Sequence, residues 1–203
     1  MLILYTYKME TVEQNLLNFV KESTKNFDDS HNHVHAMRVT ENAHKIMESI
    51  RGTTGYNKKF LTYASMLHDV RDHKYPESIS REELEKFVEC NLGRDLAKGL
   101  FLVIDNISFS KEDKGKREDV GAFYHDYLTA ISDADRLEAL GSVGIKRCEE
   151  FTLAHGGKVP EDVVKHCHEK LLRLLPEGFI MSSLARKMAE PLHQEILDYV
   201  KSH

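Results

Sequence analysis

The chain of 203 residues is short of several features that would each define a class. It has three cysteines, Cys90, Cys148 and Cys167, far apart and with no CxxC among them. That spacing excludes a zinc ribbon and a disulfide framework, and a reducing, cytoplasmic location is expected. No apolar run approaches the roughly 18 residues of a membrane span, so no membrane partner is expected. Residues 1–7 are apolar but lack a basic region and a small-residue cleavage site, so they are not read as a signal peptide. The net charge of −5 gives no electrostatic reason to expect a stable nucleic-acid partner. There is no β-hairpin signal, no βαβ alternation, no repeat and no linker long enough to divide the chain.

What is present is a soluble globular balance, 41% hydrophobic and 30% charged residues, in a chain long enough to bury a core. Apolar residues recur at helical spacing almost throughout. Val12, Leu16, Leu17, Phe19 and Val20 predict a helix over 10–25. A polar break at 26–30 follows, with Asp29 or Ser30 as its N-cap residue. The next helix is expected over 31–50, on Val34, Met37, Val39, Ala43, Ile46 and Met47. Residues 52–55 form a turn, and a third helix runs over 58–68. Ser80-Arg81-Glu82-Glu83 has the form of a capping box opening a helix to about Cys90. Further helices are expected over 94–107, 118–132 (continuing or restarting over 133–150), 161–175 and 180–201, with a charged, mobile loop at 110–116. The fold class is all-α, a single helical bundle.

Twelve histidines is a high count, and several fall early. His31 and His35 are four apart and share a helix face, with Arg38 one turn further. His68 and Asp69 stand at the end of the third helix, and Asp135 is expected to begin another. Together His35, His68, Asp69 and Asp135 supply two nitrogens and at least two oxygens from separate elements. Such a set suits one divalent ion (Mn, Fe, Co, Ni or Zn, and Mg less well) and leaves positions for water and a substrate oxygen. The ion would lower the pKa of its water. Asp72, three residues after Asp69, is placed to move a proton, and Arg38 and Lys74 to hold a phosphate.

These pieces resemble the HD superfamily of metal-dependent phosphohydrolases, whose pattern is His … His-Asp … Asp on an all-α core. The match lies in His35-Ala36-Met37-Arg38-Val39, His68-Asp69 and Asp133-Ala134-Asp135-Arg136-Leu137. The stretch from Ser30 to Val39 further resembles the SHDxxHxxRV opening of a small subgroup, and the stretch from His68 to Lys74 its HDxxDxK. Ile107-Ser108-Phe109 and Glu169-Lys170-Leu171-Leu172 also fit, so the likeness covers about residues 11–200. Asn32 stands where the subgroup usually has Asp, a change that bears on affinity more than on function. The resemblance implies one HD domain over 1–203, with a core at about 28–140 and C-terminal helices at 160–202 packed on it. It implies His35, His68, Asp69 and Asp135 as metal ligands. It gives Asp72 the role of the acidic residue that assists the attacking water in related nucleotidases and (p)ppGpp hydrolases. Asp133 competes with Asp135 as fourth ligand, and the Ala-Asp-x-Leu context favours Asp135. The implied reaction is hydrolysis of a phosphate ester or anhydride of a small molecule, of nucleotide type.

Each residue alone also has an ordinary reading. A single His35 is more often a polar helix residue, and an isolated His-Asp pair more often a helix end. The three segments in order carry the metal reading. His31 is either a substrate contact, a support behind a ligand or a neighbour of a cap. Arg38 is either a phosphate ligand or, slightly preferred, a buried partner of Asp69 or Asp135. Lys74 is a phosphate contact or a solvated loop lysine, Arg136 caps a helix, and His33 faces solvent. His44 is structural, and His155, His166 and His168 are structural or exposed. The segment 111–117 is a solvated loop that could cover the site. Two other functions stay open. A di-iron oxygenase would need further histidine ligands, which His31 or His73 supply poorly, and would show two irons per chain and O₂ consumption. A nucleotide sensor would bind without turnover. A homodimer is left open.

Overall fold

In the computed structural model, which describes residues 2–28, 31–72 and 74–203 and their side chains from Glu13 onward, every regular element is helical. The order is α1 (Leu2–Ser23), α2 (His33–Arg51), α3 (Lys58–Leu67), α4 (Arg81–Leu92), α5 (Arg94–Ile104), α6 (Phe109–Asp113), α7 (Gly121–Glu138), α8 (Gly141–Ala154), α9 (Glu161–Glu169), a 3₁₀ turn (Leu171–Arg173) and α10 (Ser183–Ser202). Among the described residues no helix is long and apolar enough to cross a membrane.

The centre is built from α2, α3 and α7, and α2 packs along both of the others. Val39, Ala43, Ile46 and Met47 of α2 are fully buried, at the i, i+4, i+7 and i+8 spacing of one helix face. They meet Leu61, Ala64 and Leu67 of α3 and Ala130, Ile131 and Ala134 of α7. Alanines at 43, 64, 130 and 134 let the axes approach closely, while each large aliphatic side chain so buried contributes about 1.5–3 kcal/mol. Helices α8 and α10 pack on each other, and α10 also lies on α7.

Helix starts follow local chemistry. Ser80 Oγ accepts the Glu83 N–H (3.2 Å) and Glu83 Oε2 accepts the Ser80 N–H (2.8 Å), the reciprocal capping box read from the sequence. The cap of α2 is Asn32, whose Oδ1 accepts from the N–H groups of Val34 (2.8 Å) and His35 (3.3 Å). The expected caps, Asp29 and Ser30, lie outside the described residues.

Three expectations are corrected. First, Asp135 does not begin a helix. The apolar pattern Tyr127, Leu128, Ile131, Ala134, Leu137 runs unbroken through it, and α7 ends only at Glu138. The break is set by Gly141 at φ 71°, where a Cβ would come within 2.8 Å of Leu192 Cδ2. Second, only the end of 110–116, residues 114–116, is a solvated loop. Residues 109–113 form α6, and Glu112 pairs with Arg136 and with Arg117 (3.0 Å). Arg117 donates to Asn106 O (2.7 Å) and Ser132 Oγ (2.8 Å), and burial together with the Arg136 charge pushes its pKa down to about 10. Arg136 is buried and donates to Phe179 O instead of capping a helix. Third, the helix expected over 161–175 stops at Glu169. The chain turns at Lys170 so that Leu171 and Leu174 enter the core.

Asp133 joins α7 to the start of α10. Its two oxygens accept the N–H groups of Met181 (2.9 Å) and Ser182 (2.7 Å), and Ser182 is the α10 N-cap. Burial raises the Asp133 pKa, and these donors and Arg136 oppose that rise. Two losses of stability are expected in urea denaturation. Glu112→Ala leaves two neighbouring arginines without their shared carboxylate and costs about 3 kcal/mol. Asp133→Asn removes an acceptor from a buried backbone donor and costs about 1–3 kcal/mol. Midpoints within error of wild type for both would show that these contacts do not carry the fold.

Candidate metal centre

Three elements bring four side chains to one place. His35 is held in the first turn of α2 by the Asn32 cap. His68 is the C-cap of α3, fixed by the burial of Leu67, and Asp69 follows in the turn. Asp135 faces them from the end of α7. One ligand atom from each lies within 4.8 Å of all the others. His35 Nε2 is 3.5 Å from Asp69 Oδ2 and 3.3 Å from Asp135 Oδ1. His68 Nε2 is 3.1 Å from Asp69 Oδ2 and 3.8 Å from Asp135 Oδ1.

The imidazoles form a closed floor, with side chains 4% and 1% exposed, and the carboxylates form a rim 25% and 36% exposed. His68 Nδ1 donates to Ser65 O at 2.7 Å, because a carbonyl can only accept. That bond turns the Nε2 lone pair toward the rim. Among the described residues, His68 Nε2 and both nitrogens of His35 are buried and have no hydrogen-bond partner. Buried polar atoms of this kind call for an occupant. Donors bound to one ion at about 2.1 Å stand about 3.0–3.4 Å apart, close to the spacings seen. The residues present therefore fit a divalent ion, and the set of nitrogen and oxygen donors accepts several metals.

Without an ion, protons balance the charge. Burial disfavours the charged forms of His35 and His68, but Asp135 and Asp69 more than offset it, so both pKa values are raised, His68 strongly. Burial likewise works against the charged carboxylates. The opposing pull of His68 and His35 wins, and both Asp69 and Asp135 are held well below the usual carboxylate range.

Beside this group lies a second polar set. Tyr75 donates to Asp28 (2.6 Å) and accepts from His31 Nδ1 (2.9 Å), and its ring stacks on Phe27 at 4.0 Å. Lys74 Nζ donates to His31 Nε2 (3.3 Å) and lies 3.4 Å from Asp72 Oδ2. Asp72 also accepts the Lys74 backbone N–H (2.9 Å), and its side chain is only 10% exposed. His31, Asp72 and Lys74 are thus together, and the His31 ring is 6.2 Å from that of His35. His73 lies outside the described residues.

Other candidates stand elsewhere. Asp133 is committed to the start of α10 and does not reach the centre. Arg38 pairs with neither Asp69 nor Asp135. It is half exposed and lies 3.5 Å from Glu138, which also faces Arg147 at 3.6 Å. His44 is structural, bridging Tyr56 Oη and Thr62 Oγ1 at 2.9 Å each. His166 is half-buried on α9, and burial first, then the charges of Lys170 and Lys74, lower its pKa. Burial lowers the Lys170 pKa; the charges of Asp135 and Asp69 oppose that fall, and those of Lys74 and Arg136 add to it. The only sequence trace of it was the run from Glu169 to Leu172, which carried no side-chain role.

No family model matches the chain. The Bacillus subtilis protein YpgQ, itself uncharacterised, is 31% identical over 144 residues, 68% of this chain and 67% of that protein. The crystal structure of YpgQ in complex with ADP is similar with a TM-score of 0.71 and 26% identity, over 94% of each chain. An HD-superfamily hydrolase from Bacillus thuringiensis is similar with a TM-score of 0.67 and 25% identity, over 96% of this chain and 95% of the other. With its His/Asp group on this arrangement of helices, the chain has an HD-type fold and belongs to the family of Bacillus subtilis YpgQ.

Proposed function

We propose that the protein is a metal-dependent phosphohydrolase that cleaves a phosphate ester or anhydride of a small molecule, of nucleotide type. The observation that carries this reading is the group of four donors with unpartnered, buried imidazole nitrogens behind two carboxylates. The ADP bound in the YpgQ crystal structure supports the nucleotide class. His35, His68, Asp69 and Asp135 would hold the ion. A divalent ion there supplies Lewis acidity and a lowered water pKa.

The remaining chemistry falls to the chain's own groups. Asp72 is the base for the proton of the attacking water, and later the acid for the leaving oxygen. Its carboxylate is oriented by the Lys74 N–H and its charge is steadied by Lys74 Nζ. Lys74, half exposed, is available to a phosphoryl oxygen as a point charge. His31 sets the position of Lys74 and Asp72 through its tie to Tyr75 and Asp28. The exposed rim, opposite the imidazole floor, is the side from which substrate enters.

Two outcomes are expected. Protein stripped of metal and reloaded with Mn, Co, Ni, Fe, Zn or Mg should release phosphate from members of a nucleotide panel. Asp69→Ala should abolish that release, and Asp72→Asn should lower kcat by about 10²–10⁴ while still binding metal. Stoichiometric metal without turnover on any phosphate compound would falsify the reading.

The second outcome concerns pH. The raised imidazole values stabilise the metal-free protein fully below the ordinary value of 6.5, and this contribution is lost as pH rises through the raised values. The Tm gap between EDTA-treated wild type and EDTA-treated His68→Gln should therefore be widest near about pH 6 and narrow toward about pH 9. Metal binding shows the opposite trend, since imidazolium protons must leave. Calorimetry in buffers of different ionisation enthalpy should register proton release with manganese near about pH 6.5. No proton release there, or a Tm gap that widens with pH, contradicts this account of the centre.

A further inference from the structure

Arg38 stands one turn along α2 from His35, and Glu138 one turn along α7 from Asp135. The two helices run antiparallel. His35, near the start of α2, meets Asp135 near the end of α7, and Arg51 at the end of α2 pairs with Asp126 near the start of α7. Residues 38 and 138 therefore lie in opposite directions from the His35–Asp135 contact. Side chains on a helix lean toward its N-terminus, so Arg38 leans back toward His35 and Glu138 back toward Asp135. They meet with Arg38 Nη1 3.5 Å from Glu138 Oε2, level with the 3.3 Å contact between His35 and Asp135. A guanidinium thus flanks the metal centre on the same helix seam.

The charges at this spot do not balance. Arg147 of α8 also faces Glu138 Oε2, with Nη2 at 3.6 Å, and its Nη1 donates to the Glu138 backbone oxygen at 3.2 Å. Two guanidiniums share one carboxylate. Arg147 is 11% exposed and tied at two points, so it stays with Glu138. The Arg38 side chain is 44% exposed and has one long contact. Among the described residues its other nitrogens have no acceptor. A half-exposed pair of this length is weak, so a better acceptor draws Arg38 away at little cost and leaves Glu138 compensated. The free fork of a guanidinium matches the paired oxygens of a phosphoryl group. Lys74 stands by His31, ahead of α2, and Arg38 stands at the Glu138 side of Asp135. Two basic groups from separate elements therefore flank the four donors.

We propose that Arg38 binds a second phosphoryl group of the substrate, adjacent to the one held at the ion, and that Glu138 with Arg147 forms the rest position from which Arg38 is drawn. This assignment rests on the metal-dependent reading above. It adds a residue that selects compounds with two linked phosphates over those with one.

The test is calorimetric, on protein loaded with one equivalent of manganese, with AMP and the non-hydrolysable α,β-methylene analogue of ADP as probes. Wild type should bind the analogue about tenfold or more tightly than AMP. Arg38→Met, which keeps the aliphatic stem, should weaken the analogue about tenfold to a hundredfold, the loss of charged hydrogen bonds, and leave AMP and manganese within about threefold. Arg38→Lys should recover only part of the loss, because a point charge replaces the fork. Glu138→Gln frees Arg38 and should tighten the analogue about twofold to fivefold without changing AMP. Opposite shifts from the two halves of one ion pair separate a binding role from a structural one, in which breaking the pair from either side acts alike. Equal losses for the two nucleotides, a loss of the analogue in Glu138→Gln to match that in Arg38→Met, or unchanged analogue affinity in folded Arg38→Met each overturns the role of Arg38 and leaves the metal centre standing. Wild type that binds manganese but neither nucleotide overturns this inference together with the nucleotide class. Wild type that binds no manganese overturns the centre as well.

Discussion

The structure turns on two imidazoles withdrawn from water behind two carboxylates. Neither pair is tolerable alone. His35 and His68 are buried with nitrogens that none of the described residues satisfies, and Asp69 and Asp135 face each other across a few ångströms. Buried charge of this kind is held only by compensating charge in good geometry. The rest of the central packing serves that geometry. Small residues let α2, α3 and α7 approach, and the Asn32 cap and the Ser65 carbonyl set the two rings. Protons or a divalent ion can complete the balance. The proposed chemistry follows from exchanging the first for the second.

A second economy of charge surrounds the first. Glu112 serves both Arg136 and Arg117, and Arg173 joins Asp113 to Glu177. These pairs tie α6 to α7 and to the segment before α10. They hold Phe109 against Phe179, ring centroids 4.7 Å apart, and the Lys170 amine stands 5.5 Å from the Phe109 ring. A strand of arginine–carboxylate pairing behind the aromatic residues thus positions a lysine in front of them.

The all-α architecture was legible because periodicity is a local property. The face made by Val39, Ala43, Ile46 and Met47, the box at Ser80 and Glu83, and the His-Asp pair closing α3 are each written within a few residues. The convergence of His35, His68, Asp69 and Asp135 was read from the pattern of three segments, with help from the family likeness. What was hidden depends on distance along the chain. Asp133 finds its donors at residues 181 and 182, Glu112 meets Arg136, and Arg38 meets Glu138 a hundred positions away. Nothing near those residues signals the partner. The end of α7 was misplaced for a related reason: a favourable helical pattern continues through Asp133 and Asp135, and only the backbone conformation of Gly141 stops it. The turn at Lys170 was missed because a helix was expected to continue through it, and that turn answers to the burial of Leu171 and Leu174.

The donors of the centre come from positions 35, 68, 69 and 135, so no short peptide of this chain contains a chelate. An unfolded chain would have to close two long loops before it could offer the same four atoms, and each closure costs entropy. An ion with preference for this centre therefore binds the native state almost alone and shifts the unfolding equilibrium by mass action. Such an ion would act as a clasp across three segments of the chain. Growth conditions poor in the metal would then act twice on this protein, once on its chemistry and once on the fraction of chains that stay folded.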